Sequence, residues 1–130
     1  MMNGIEWIVD AQGCAADKLR SPECLRLLFA QIIQELQLRP IGETIWHQFP
    51  NAGGITGLCL LAESHLACHT FPEFGSLCLN LFCCGEREEW DFEKALRHGF
   101  GATSVTVRTV LRSYAAIGEE VAAIKAEGRP

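Results

Sequence analysis

The sequence predicts an α+β fold, a two-layer α/β sandwich in which a mainly antiparallel sheet carries two helices on one face. Three observations lead there. Two stretches, 15–38 and 89–98, read as helices, and the first carries a long apolar stripe at helical spacing. Six shorter stretches read as strands. Four of those strands follow one another with only turns between them, the pattern of antiparallel neighbours. The predicted order is β-α-β-β-β-β-α-β.

Ile5–Val9 is a short apolar run and the first strand. Between Ala15 and Leu38, the residues Leu25, Leu28, Phe29, Ile32, Ile33 and Leu36 recur at i, i+3, i+4, i+7, i+8 and i+11, one face of an amphipathic helix. Ser21-Pro22 offers an N-cap followed by proline at the first helical position, and Pro40 forbids further helix. Gly42–Phe49 reads as the second strand, Pro50–Gly54 as a turn and Ile55–Ala62 as a strongly apolar third strand. His65–Phe71 and Ser76–Cys84 are the fourth and fifth, with Pro72-Glu73-Phe74-Gly75 turning the chain between them. Glu89–His98 is the second helix, stopped by Gly99 and Gly101, and Thr103–Arg112 alternates as the last strand. A short helix with no motif is expected in the tail after Gly118.

The composition excludes several classes. At 130 residues the chain suits one domain, 1–130, with one core. No run approaches the ~18 consecutive apolar residues of a membrane span. Met1 to Asp10 lacks the basic region and long apolar stretch of a signal peptide. The formal charge is −5, and the basic residues, Arg20, Arg39, Lys94 and Arg108 among them, are scattered, so no nucleic-acid partner is expected. The seven cysteines are odd in number and form no C-x-x-C, which disfavours a disulfide framework or structural zinc and fits a reducing cytoplasm.

The chemistry concentrates in Glu63-Ser64-His65-Leu66-Ala67-Cys68-His69-Thr70-Phe71-Pro72-Glu73-Phe74-Gly75 and the following Cys83-Cys84-Gly85. An acid, a hydroxyl, two imidazoles and thiols fall in one predicted hairpin. With 72–75 as the turn, Phe71 lies opposite Ser76, His69 opposite Cys78, Ala67 opposite Asn80, His65 opposite Phe82 and Glu63 opposite Cys84. Leu66, Cys68, Thr70, Leu77, Leu79 and Leu81 then face the helices. His65, His69, Phe71, Asn80, Phe82 and Cys84 share the other face, the candidate functional one. A one-residue slip would exchange Cys84 for Cys83. His65 and His69 would stand about 13 Å apart on a strand, which speaks against a shared metal, and His69 roughly 16 Å from Ser64.

At these residues the chain resembles the prokaryotic S-adenosylmethionine decarboxylases, small self-processing pyruvoyl enzymes whose block reads E-S-H-x-x-x-H-T-W-P-E-x-G, then a C-G pair. Here it stands as Glu63-Ser64-His65, His69-Thr70-Phe71-Pro72-Glu73, Gly75 and Cys84-Gly85. The resemblance implies self-cleavage between Glu63 and Ser64 into a β chain of residues 1–63 and an α chain of residues 64–130. Ser64 becomes a covalent pyruvoyl group that holds the substrate amine as a Schiff base. His69 serves processing, with Thr56 in the place of an assisting hydroxyl. Cys84 matches the proton donor, Glu73 a ribose ligand, and Phe49 and Phe71 the rings that flank adenine and sulfonium. The product would be the aminopropyl donor for spermidine. A symmetric homodimer with shared sites would bring His69 of one subunit to Ser64 of the other.

Some positions depart from the family pattern. Phe71 stands for the usual tryptophan, Asn80 for a common acid and Thr56 for serine, the loop 50–54 is about one residue long, and Arg112-Ser113 replaces arginine-glycine. These departures leave open a pyruvoyl-dependent ornithine or arginine decarboxylase on the same fold, or an unprocessed, non-catalytic ligand-binding homologue.

Overall fold

The computed structural model describes residues 3–114, so the tail after Gly118 lies outside the described residues. Its strands are β1 (Asn3–Gln12), β2 (Ile45–Gln48), β3 (Ile55–Leu61), β4 (Ser64–Phe71), β5 (Ser76–Cys83) and β6 (Ser104–Ser113). Its helices are α1 (Ala16–Leu19), α2 (Pro22–Glu35) and α3 (Phe92–Phe100), and a 3₁₀ turn spans Pro72–Phe74. The six strands form one sheet in the order β2-β3-β4-β5-β1-β6, and every neighbouring pair is antiparallel.

One face of the sheet is apolar, and the helices close it. Trp7, Leu66, Leu77 and Leu81 from the strands meet Leu25, Ile32 and Leu96 from the helices, all fully buried. Cys68 belongs to this core, where burial pushes its thiol up to about 12 against a smaller opposite pull from the Gly57 backbone. The opposite face stays open and carries exposed Leu58, Leu60, His65 and His69. The alternation read from the sequence therefore separates a packed face from a chemical one.

The expected single helix over 15–38 is two helices. Ser21 is extended, at φ −95° and ψ 109°, and its Oγ accepts the Cys24 N–H at 3.2 Å to cap α2. Pro22 has no N–H with which to continue the first ladder. The helix also ends early, at Glu35, because Gln37 turns left-handed at φ 55°. The third helix starts later than expected. Asp91, not Glu89, accepts the Lys94 N–H at 3.0 Å, and Gly101 at φ 71° ends the helix while Gly99 lies within it. The second strand is shorter than expected, since only Ile45–Gln48 pair with β3.

The hairpin between β4 and β5 keeps the predicted register, from Phe71 opposite Ser76 to His65 opposite Phe82. Gly75 closes its turn at φ 65°, and an added Cβ there would meet the Cys14 carbonyl at 3.3 Å.

Candidate active site

At the start of β4 the chain is tied down from several directions. Glu63 is only 5% exposed. Its carboxylate accepts the Arg39 N–H at 3.0 Å and the Arg39 Nε–H at 2.9 Å, and Arg87 Nη2 stands 3.4 Å away. Burial alone pushes the Glu63 carboxyl up, but the Arg39 backbone and guanidinium outweigh it and hold the group below its ordinary value. The Glu63 carbonyl accepts the Cys84 N–H at 2.8 Å. The next residue, Ser64, has φ 156°. The other two non-glycine residues described with positive φ, Gln37 and Asn51, sit at a helix end and in a turn. Such backbone costs on the order of 1–3 kcal/mol for an L residue and persists only where its surroundings impose it.

The hydroxyl of Ser64 therefore belongs to the residue next to a fixed carbonyl whose oxygen already has an N–H donor. A nucleophile, an acyl carbon and a donor for developing negative charge are the elements of acyl transfer. The two thiols differ here. Cys83 lies directly opposite Ser64 and is fully buried, and burial raises its thiol pKa against a pull from Arg87. Cys84 is half-buried and supplies the N–H on the Glu63 carbonyl.

The other end of β4 is an open groove of about 480 Å³. Phe49, Thr56, His69, Phe71 and Glu73 line it. Antiparallel pairing sets Thr56 opposite His69, with Thr56 Oγ1 and His69 Nδ1 2.9 Å apart. Buried Thr70 holds this corner: its Oγ1 accepts the Ile55 N–H at 2.8 Å and donates to the Leu19 carbonyl at 2.7 Å. Gly54 allows close strand approach, since a Cβ there would fall 2.6 Å from the Thr70 carbonyl. The loop carrying Phe49 is pinned by Gln48, whose Nε2 donates to the Arg20 and Gly53 carbonyls at 2.9 and 3.1 Å. Phe49 and Phe71 leave their rings half in solvent, and Glu73 is exposed on the 3₁₀ turn.

The predicted site residues thus fall into two groups. Glu63, Ser64 and Cys84 meet at one end of β4, and Thr56, His69, Phe71, Glu73 and Phe49 at the other. Between them, His65 Nε2–H donates to Asn80 Oδ1 at 2.7 Å, Asn80 Nδ2 donates to Glu6, and Glu6 pairs with Arg112. The carboxylate that Asn80 meets thus comes from Glu6, one strand away on β1. The Arg39 and Arg87 contacts were not foreseen. Their only trace in the sequence is an acid in an apolar run, which needs a cationic partner but does not say which.

The sequence profile of a family described as S-adenosylmethionine decarboxylase matches residues 5–113. The S-adenosylmethionine decarboxylase proenzyme of Archaeoglobus fulgidus is 32% identical over 97 residues, 75% of this chain and 83% of that protein. The proenzyme of Carboxydothermus hydrogenoformans is 31% identical over 106 residues, 81% of this chain and 82% of that protein. The crystal structure of the adenosylmethionine decarboxylase from Aquifex aeolicus superposes with a TM-score of 0.76 at 25% identity, covering 88% of this chain and 94% of that one. This chain belongs to the S-adenosylmethionine decarboxylase family.

Proposed function

We propose that this chain is a proenzyme that cuts itself between Glu63 and Ser64, turns Ser64 into a pyruvoyl group, and decarboxylates S-adenosylmethionine to the aminopropyl donor for spermidine synthesis. The products of the cut are a β chain, 1–63, and an α chain, 64–130, that stay folded together. The observation that carries the reading is the junction itself, where the Glu63 carbonyl takes the Cys84 N–H at 2.8 Å beside the positive-φ Ser64. Ser64 Oγ adds to the Glu63 carbonyl carbon, and the Cys84 N–H faces the oxygen on which charge gathers.

The residues present suit a pyruvoyl group, since Ser64 is only half-buried and half-buried Cys84 adjoins the same peptide. Once formed, that group supplies the electron sink that no side chain offers. Cys84 returns a proton to the substrate carbon after CO2 leaves. In the groove, Glu73 takes the ribose hydroxyls, and the faces of Phe49 and Phe71 hold the adenine and the cationic sulfonium.

His69 and Ser64 lie five residues apart on one strand, roughly 16 Å, and do not meet within a chain. A two-fold homodimer through the open face resolves this by bringing His69 of one protomer to Ser64 of its partner. Exposed Ile45, Leu58 and Leu60 give that face apolar area to bury. Among the described residues no helix is long and apolar enough to cross a membrane. The seven free cysteines support a reducing, cytoplasmic setting.

CO2 release from carboxyl-labelled S-adenosylmethionine, ornithine and arginine tests the reading. The purified protein should release label only from S-adenosylmethionine, and Ser64→Ala should release none. Label released only from ornithine or arginine, or by Ser64→Ala at the wild-type rate, would overturn it.

A further inference from the structure

Arg87 holds a hydrogen-bond donor that no group among the described residues uses. Its Nε is buried and has no hydrogen-bond partner among them. The nearby Glu63 carboxylate is satisfied without it, since the Arg39 N–H takes Oε1 and the Arg39 Nε–H takes Oε2. The Cys83 thiol beside Arg87 is a weak acceptor. A buried unsatisfied donor in a native site calls for a partner. Charge points the same way. In the uncut chain one carboxylate, that of Glu63, faces two guanidinium groups. Cutting at 63–64 gives Glu63 a second carboxylate, its own C-terminus, so that two face two.

We propose that Arg87 is the electrostatic partner of the carboxylate expelled during processing, and that it seats the new C-terminus of Glu63. This rests on the self-cleavage read above. In the first step Ser64 Oγ bonds to the Glu63 carbonyl carbon, the peptide C–N bond breaks, and the freed Ser64 nitrogen takes the hydroxyl proton. The result is an ester. In the second, the Ser64 Cα proton passes to His69 of the other protomer in the proposed dimer, and its electron pair forms a Cα=Cβ bond. The Cβ–Oγ bond breaks, and its electron pair leaves on oxygen. The leaving group is the Glu63 α-carboxylate, now carrying the serine oxygen. Water then replaces ammonia at residue 64 and leaves the ketone. Negative charge first separates from the chain in the elimination, on the residue whose side-chain carboxylate Arg87 already faces at 3.4 Å. Arg39 cannot fill this role as well, because it is largely in solvent and already engaged at Nε.

Arg87→Gln and Arg87→Lys test the assignment by separating the two steps. Hydroxylamine splits an ester but not a peptide, and leaves an intact N-terminal Ser64. Arg87→Gln should form the ester at the wild-type rate and resolve it about 100-fold more slowly, the scale of losing one donor to a developing oxyanion. A hydroxylamine-sensitive species should then dominate its denaturing mass spectrum. Arg87→Lys keeps the charge without the fork and should resolve the ester several-fold more slowly than wild type. Wild-type ester resolution in both variants would overturn the proposal. So would slow ester formation in a folded variant with nothing for hydroxylamine to cut, which is the behaviour of a purely structural residue. Wild-type protein that shows neither fragments nor ester would instead sink the self-cleavage reading itself.

Discussion

The two ends of β4 are built for opposite demands. At Ser64 the backbone is held by a buried carboxylate that Arg39 grips twice and by a strand N–H. At Phe71 the same strand opens into a groove with half-exposed rings and a solvent-facing acid. Breaking a peptide needs one carbonyl fixed in place, whereas admitting a nucleoside needs room and a wet rim. The first end holds the nucleophile and the acyl group, and its neighbouring imidazole, His65, is engaged by Asn80. The second holds the His69 imidazole and the groove lined by Phe49, Phe71 and Glu73. In the proposed dimer each end is half of a site, and the open sheet face between them is the surface through which two copies would complete each other.

Except at His69, which the proposed dimer lends to the partner's cut, substitutions at one end should leave the other end's task intact. The largest effect is expected at His69. His69→Ala should slow self-cleavage by about 10²- to 10⁴-fold, the usual weight of a positioned acid–base group, followed as uncut chain on a denaturing gel. Refolding it together with Ser64→Ala should recover cutting of the His69→Ala chains, because each hybrid dimer holds one complete pair. No recovery in proven hybrids would break the shared-site account. Next comes Glu73→Gln, which removes a charged acceptor from the groove. It should raise KM about 10-fold or more while the rate of chain cutting stays as in wild type.

The smallest effect is thermodynamic. The Glu63 carboxyl titrates below its ordinary value in the folded chain, so its charged form favours folding. That contribution is fully present above the unfolded carboxylate range, about pH 4–5, and is lost as pH falls through the lower folded value. Denaturant titrations of Ser64→Ala with and without Glu63→Gln should show a stability gap at neutral pH that closes on acidification. A gap that widens toward acid would contradict the clamp.

Much of this was legible in the sequence because it depends on period and turn chemistry. Alternation from His65 to Cys84, with proline and glycine in the turn, set the hairpin register and so placed Thr70 and Leu77 inward and His69 outward. The helix break at Ser21-Pro22 was signalled by the cap and the proline, but the apolar stripe from Leu25 to Leu36 lies wholly beyond it and says nothing of the short α1 before it. Arg39 and Arg87 were not legible, since their partner Glu63 lies 24 residues from each and no local pattern links them. Nor was the Cys84 N–H visible as a functional group, because a backbone donor has no letter of its own. The order β2-β3-β4-β5-β1-β6 puts the first strand inside the sheet. That order sets Glu6 beside Asn80 and supplies a carboxylate where the local sequence lacks one.

The intact mass of the purified wild-type protein, measured under denaturing conditions, tests the central claim most directly. Two species should appear, one with the mass of residues 1–63 and one of residues 64–130 bearing a ketone in place of its first amine, while Ser64→Ala gives one full-length mass. A single full-length mass from wild-type protein that releases CO2 from S-adenosylmethionine would contradict the account.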